Sequence, residues 1–392
     1  MGLTSGFFMG LMIAVAVGSA AATVWLWPRL ASQRAGMVAA RFGLIAAGQL
    51  LLLAAVLVFL NGVFGFFGSW SAVFGSGGPV AAAQPIVVTG SDLGPVPGGS
   101  ALPETANGRQ AAKPPGAAQS VGKILQVTVS GGHTGIVSAG NYVYLPPQYF
   151  QPAYAHVRFP VVLALTGYPN ASWSIVRWLR LPATAASLVA SGKIRPAVYV
   201  MMNVSVALPR DTECTNVPAG PQAETFLAQD VPQAVDRTFR VQTGSAGWAV
   251  LGYSTGGYCA AKLAMMNPYQ FPAAVSLAGY YAAGPDFITG NLYGGSTAFQ
   301  NENDLDWRLA HLPAPPVSVL VTSSRVGESD LADTLTFLHL IHPPMRGYSL
   351  ILAQGGHNYG TWVRQLPQSL EWLNQRLTPA VPQAQPTPAH PR

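Results

Sequence analysis

Charge is what this sequence has least of. Of its 392 residues only 9% are Asp, Glu, Lys or Arg, while 49% are hydrophobic. That imbalance excludes a single soluble globule of ordinary composition and points to membrane segments or long uncharged linkers. Lysine is nearly missing, 4 against 17 arginines, and no mechanism follows from it. The formal charge of +6 suggests a basic protein, but Arg29, Arg34 and Arg41 precede every acidic residue, so residues 42–392 carry only +3. That is too little for a nucleic-acid surface, and no nucleic-acid partner is expected. Cysteine is down to Cys214 and Cys259. Both fall in the part of the chain placed outside the membrane below, where a disulfide is chemically allowed; the alternative makes Cys259 a small buried helix residue.

Two stretches lack charge altogether. Residues 7–27 are long enough to cross a hydrocarbon core as a helix and end at Trp25, Trp27 and Pro28, where an interfacial anchor belongs. Residues 42–67 are again uncharged, and the segment 29–41 between them holds three arginines and no acid. By the positive-inside rule that segment is cytoplasmic, so everything after Trp70 lies outside. A cleaved signal peptide is the alternative for the first stretch, but a basic n-region is lacking and a second span follows. Residues 1–70 therefore read as a transmembrane helical hairpin, a multi-pass anchor in the cell membrane.

Residues 71–121 lack apolar periodicity apart from Ile86–Val88; Gly, Ala, Pro and Ser dominate. They read as a disordered linker, with a root-mean-square span on the order of 40 Å. The tail 378–392, rich in Pro, Ala and Gln, reads the same way. Between them, 122–377 alternates strands and helices. Strands are expected at 124–129 and 142–145, with a turn at Gly131 and Gly132, then at 161–165 and 197–202. Helical stretches are expected at 173–192 and 222–239, strands at 248–253, 273–278, 316–323 and 347–353, and a last helix at 361–376. Alternation of this kind implies an α/β class: a mostly parallel central sheet with helices on both faces and ligands at the carboxyl ends of the strands.

At one of those ends stand Gly252, Tyr253, Ser254, Thr255 and Gly256. The apolar run Trp248–Leu251 precedes them, and Gly257, Ala260, Ala261, Leu263 and Ala264 follow with the small side chains of a helix packed closely over a sheet. A GxSxG sequence between a strand and a helix is the setting of a nucleophile elbow, where strain on the serine and crowding by neighbours call for glycine on both sides. The competing assignment is a serine that only caps the helix. A serine nucleophile needs a base, and imidazole suits that task. Of seven histidines, His357 follows Gly355 and Gly356 after the last strand, in the chain order serine, acid, histidine. His339 and His342 lie in a helical segment, His133 and His156 precede the serine, and His390 is in the tail. The acid belongs after strand 316–323, where Glu328 and Asp330 both qualify. Glu328 is favoured as nearer the strand end; either is also placed to cap a helix. Donors for an oxyanion are expected from the backbone N–H of Thr255 and, after strand 161–165, from that of Tyr168 beside Gly167. Neither cofactor nor metal enters this scheme.

These residues resemble a known group. Val143–Pro147, Leu165–Tyr168, Gly252–Tyr258, and Gly355, Gly356 and His357 with Trp362 are together similar to an esterase family of α/β-hydrolases that includes S-formylglutathione and feruloyl esterases and the actinobacterial mycolyltransferases. The resemblance covers about residues 122–377. It implies an α/β-hydrolase fold, Ser254 as nucleophile, His357 as base, and hydrolysis or transfer of an acyl group from a small-molecule, lipid or cell-envelope ester. The loop Arg210, Asp211, Thr212, Glu213, Cys214 resembles an active-site loop of actinobacterial members, and a Cys214–Cys259 bond would pin it beside the nucleophile helix. No sugar-binding signature accompanies it, so trehalose is not implied. The leading expectation is a membrane-anchored extracytoplasmic serine esterase. An acyltransferase shares every catalytic residue, and a catalytically silent wall-binding or scaffold module shares the fold.

Overall fold

The structure is a computed structural model that describes residues 6–64, Trp70 and 122–382. The expected linker and the tail from 383 lie outside the described residues. Contacts divide the chain into two units, the first 81 residues with Ser324–Ser329 and Ala353–Thr361, and the rest of the α/β domain.

The N-terminal residues form two helices, α1 (Gly6–Leu26) and α2 (Ala35–Phe64). At 1.5 Å per residue they extend about 31 and 45 Å, enough for a bilayer core. Two apolar stretches, Phe7–Leu30 and Ala35–Asn61, qualify as candidate membrane spans. The second helix begins before the uncharged stretch does, so Arg41 lies inside it. Loss of charge marks where a helix turns apolar, not where it starts. Arg41 reaches back, Nη2 donating to Ser32 O at 3.1 Å, and Arg29 stacks 3.8 Å from the Trp25 ring.

The α/β domain is built on an eight-stranded sheet. An antiparallel pair, β1 (Lys123–Ser130) and β2 (Val137–Leu145), forms one edge; the turn between them contains Gly131 and Gly132, as expected. A short β3 (Val157–Arg158) precedes β4 (Val161–Leu165). The expected helix 173–192 is two helices, α3 (Trp173–Arg177) and α4 (Leu181–Ala190), because Arg180 takes a left-handed conformation at φ 59°. After β5 (Val198–Met202), the helical stretch α5 runs as Ala223–Thr225, a π-turn Phe226–Asp230 and Val231–Thr238. Then come β6 (Trp248–Tyr253), α6 (Thr255–Met266) and β7 (Ala273–Leu277). Helices α7 (Thr297–Asn303) and α8 (Leu305–His311), β8 (Ser318–Ser324), α9 (Leu331–Leu340), β9 (Arg346–Leu352) and α10 (Tyr359–Asn374) complete it.

The strand order is β1-β2-β5-β4-β6-β7-β8-β9. From β5 to β8 every neighbour is parallel, and β4, β5, β6 and β7 are buried at every residue. That is why they read as unbroken apolar runs. The chain departs from the composition-based tail at Thr378–Pro382: Gln242 donates to Pro379 O at 2.6 Å, and β10 (Val381–Pro382) pairs antiparallel with β3.

Candidate active site

The serine and its surroundings come first. Strand β6 ends at Tyr253 between β4 and β7, with Gly252 in register with Leu165 and Ser276. Ser254 then takes φ 56°, ψ −126°, and α6 starts at the next residue. A non-glycine residue at positive φ is strained and persists only where its surroundings enforce it. Here glycines do so by leaving room: a Cβ on Gly252 would lie 2.0 Å from Gly256 O, and one on Gly256 would lie 2.4 Å from Thr166 O. Ser254 N donates to Leu277 O at 3.0 Å, its own O accepts from Gly257 N at 2.8 Å, and its side chain makes no capping hydrogen bond. The capping alternative is not what the structure has.

The loop after β4 lies against this turn. A Cβ on Gly167 would sit 2.9 Å from Ser254 Cβ, so the backbone of Gly167 and Tyr168 runs beside the serine. The Tyr168 hydroxyl donates to Pro209 O. The N–H of Thr255 is the first of α6, has no intrahelical acceptor and lies at the positive end of the helix. The serine's strand is braced by Tyr253, whose hydroxyl is 2.7 Å from Ser174 Oγ and whose ring stacks on Trp362 at 4.6 Å.

The loops after β8 and β9 carry the second group. Gly355 N donates to Val326 O at 2.9 Å, and Gly356 N to Thr361 Oγ1 at 2.9 Å. His357 Nδ1 lies 2.9 Å from Glu328 Oε1, with the Glu328 side chain 1% exposed. A carboxylate at Nδ1 holds the proton there and leaves Nε2 as the basic nitrogen. Asp330 Oδ1 instead accepts from Ser323 Oγ at 2.7 Å, and its side chain does not cap α9. Of the other histidines, His133 Nδ1 is 2.7 Å from Asp230, His342 Nδ1 is 3.1 Å from Leu340 O, and His390 is outside the described residues.

The third group is the loop after β5. Cys214 and Cys259 are bonded, with Cα atoms 5.8 Å apart, fastening this loop to α6. Two carboxyls are buried on it. Glu213 receives the Tyr280 hydroxyl at 2.6 Å, and Asp211 accepts from Glu213 N at 3.1 Å and from the Thr255 hydroxyl. Burial, reinforced by the charge of Asp211, pushes the Glu213 carboxyl up to about 8; burial, reinforced by the charge of Asp286, raises Asp211 to about 6. Lys262, fully buried on α6, donates to Glu213 O at 3.1 Å and Thr215 Oγ1 at 2.7 Å, and burial lowers its ammonium to about 8. Tyr280 and Lys262 were not legible as site neighbours in the sequence. A lysine in an otherwise apolar helix face was the one available signal for Lys262, and Tyr280 gave none. Among the described residues no cluster of three or more His, Cys, Asp or Glu is arranged to hold a metal ion.

A parallel sheet with a serine on a strained strand-to-helix turn defines the α/β-hydrolase class. The family described as Putative esterase matches residues 138–373, more than half of the chain, and the chain belongs to it. An uncharacterized protein of Corynebacterium glutamicum is 23% identical over 273 residues, 66% of this chain and 63% of the relative; the match thus spans less than two thirds of that relative's length. Among solved structures, a ferulic acid esterase (17% identity, TM-score 0.54) covers 66% of this chain and 99% of its own. An S-formylglutathione hydrolase from Agrobacterium tumefaciens (17%, 0.55) covers 66% and 97%. A fluorophosphonate-binding serine hydrolase of Staphylococcus aureus (19%, 0.52) covers 64% and 98%. At these identities the likeness is one of fold.

Proposed function

We propose that this protein is a membrane-anchored serine esterase that hydrolyses carboxylic esters through an acyl-enzyme on Ser254. In this scheme Ser254 Oγ attacks the ester carbonyl while His357 Nε2 takes its proton, and Glu328 holds the imidazole in the right tautomer and stabilises its cation. The N–H groups of Thr255 and Tyr168 receive the developing oxyanion. Collapse of the tetrahedral intermediate expels the alcohol, which takes the proton back from His357. Water then enters by the same route and releases the acid.

The observation that carries the proposal is the backbone of Ser254, at φ 56° between two glycines that admit no Cβ. Strain of this kind is retained where a function needs it. The His357–Glu328 hydrogen bond adds a base with its orienting acid, and all three residues follow strands of one sheet. For location, we assign α1 and α2 as membrane spans joined on the cytoplasmic side by the segment with Arg29 and Arg34, with the α/β domain outside. The Cys214–Cys259 bond fits an oxidising compartment.

The deciding experiment is fluorophosphonate labelling of the full chain. Wild type is expected to label at one serine and Ser254→Ala not at all; equal labelling of both, or none of either, refutes the esterase.

A further inference from the structure

The surface beside the nucleophile loop has an unusual composition. Residues 105–210 contain no aspartate or glutamate, whereas 122–210 contain seven lysines and arginines. Most of those are accounted for. Arg158 pairs with Asp236 and Lys193 with Glu371, and Arg195 and Arg210 donate to backbone carbonyls. Arg177 and Arg180 are exposed and have no carboxylate at ion-pair distance among the described residues. With them stand Trp173 and Trp178, 40% and 44% exposed, their rings edge to face with centroids 4.5 Å apart.

This cluster flanks the elbow. Ser172 N donates to Asn203 Oδ1 at 2.6 Å, and Ser174 Oγ is 2.7 Å from the hydroxyl of Tyr253, the residue before Ser254. The loops after β5 and β7, which Arg210 Nε joins by donating to Thr289 O at 2.7 Å, expose Leu208 (56%) and Phe287 (102%), with the exposed Asp286 beside the latter.

Tryptophan with arginine, in a stretch from 105 to 210 that holds no acid, is the composition of a membrane–water interface: the rings sit at headgroup level and the guanidinium groups meet lipid phosphates. Each basic residue near an anionic leaflet strengthens binding by roughly fivefold. A bilayer is also the partner this chain brings with it, since two candidate spans precede the domain and fewer than sixty residues separate Phe64 from Lys123. With the spans inserted, the domain cannot leave the neighbourhood of that bilayer, so a contact with it is intramolecular and needs little affinity of its own.

We propose that this edge of the domain rests on an anionic bilayer through Trp173, Trp178, Arg177 and Arg180, and that the ester reaching Ser254 is carried by a lipid of that membrane. The substrate class rests on the esterase proposal above; the bilayer contact does not.

The test reconstitutes the full chain in vesicles of phosphatidylcholine alone or with one part in three of phosphatidylglycerol, and follows amide hydrogen exchange over 171–182. Exchange is expected to be about fivefold or more slower in the anionic vesicles. The variant Arg177→Glu/Arg180→Asn, in which asparagine suits the left-handed backbone at 180, is expected to return it to the phosphatidylcholine value. Equal exchange in the two vesicles, or protection unchanged in the variant, overturns the contact. The same preparations are assayed on p-nitrophenyl acetate and on a vesicle-embedded diacylglycerol. The variant should keep the first activity and lose at least fivefold of the second in anionic vesicles; equal turnover of the embedded ester by both proteins overturns the substrate class while leaving the esterase standing. If neither ester is cleaved by wild type, the esterase proposal fails, and exchange still decides the contact.

Discussion

Glu328 Oε1 lies 2.9 Å from His357 Nδ1, while the carboxylate of Asp330, two residues further on, is taken by Ser323 Oγ at 2.7 Å. The two acids that sequence order left in competition thus have different partners, and the difference is measurable. Glu328→Gln is expected to lower kcat for a soluble ester by roughly 10³-fold or more, as loss of an orienting carboxylate does. Asp330→Asn should stay within about fivefold of wild type. The reverse ranking in steady-state kinetics would make Asp330 the acid.

Gly167 offers a test of the oxyanion side that leaves the catalytic side chains in place. A methyl group there would lie 2.9 Å from Ser254 Cβ, so the loop carrying Tyr168 N–H must withdraw. Gly167→Ala is expected to reduce kcat/KM by about 10²-fold, the cost of one misplaced oxyanion donor. The circular dichroism spectrum should be unchanged. Activity near wild type would remove that loop from the mechanism.

The raised carboxyl of Glu213 makes stability fall with pH. Its folded value, pushed up by burial to about 8, lies above that of the unfolded chain, so the native state binds more protons between the two and loses stability as pH rises through that window. Glu213→Gln keeps an acceptor for the Tyr280 hydroxyl and has no proton to lose. Its advantage over wild type should grow from near zero at pH 4 to on the order of 2 kcal/mol at pH 8. Thermal melts of both proteins across that range check this; a constant difference contradicts it.

The disulfide closes a sequence separation of 45 residues, for which chain entropy gives roughly 4 kcal/mol. Cys214→Ala/Cys259→Ala is therefore expected to lower the unfolding midpoint by several degrees or more. Both sulfurs are on fully buried residues, so dithiothreitol added to the native protein should act slowly compared with the same reagent in denaturant.

The assigned topology predicts that Ser32→Cys is silent to a membrane-impermeant maleimide in intact cells and labelled once they are permeabilised. Labelling in intact cells would invert the hairpin.

Much of the domain was legible because its signals are local. The apolar run Trp248–Leu251, the paired glycines and the small residues of α6 identify a strand, a turn and a helix without outside help. The break between α3 and α4 was not legible: Trp178–Arg180 keeps a helical pattern, and the left-handed residue is an arginine rather than a glycine. The π-turn in α5 was hidden likewise, and the partners of its last residue are distant in sequence. Asp230 there takes four hydrogen bonds from His133 and Thr134, residues nearly a hundred positions earlier. The partners of Asp211 and Glu213 were unreadable for the same reason; Tyr280 is brought in by the sheet, not by spacing. Val381 and Pro382 show the limit of composition, because a proline-rich stretch needs only one neighbouring strand to be held.

The bond between Cys214 and Cys259 also alters what a cut in the chain means. It joins the loop after β5 directly to the nucleophile helix, bypassing α5 and β6. A protease that opened the backbone anywhere from Thr215 to Tyr258 would leave the sheet's first half and the helix behind Ser254 as one covalent molecule, separable only by reduction. In a compartment with extracellular proteases, a nicked chain of this kind keeps its two halves at each other's side.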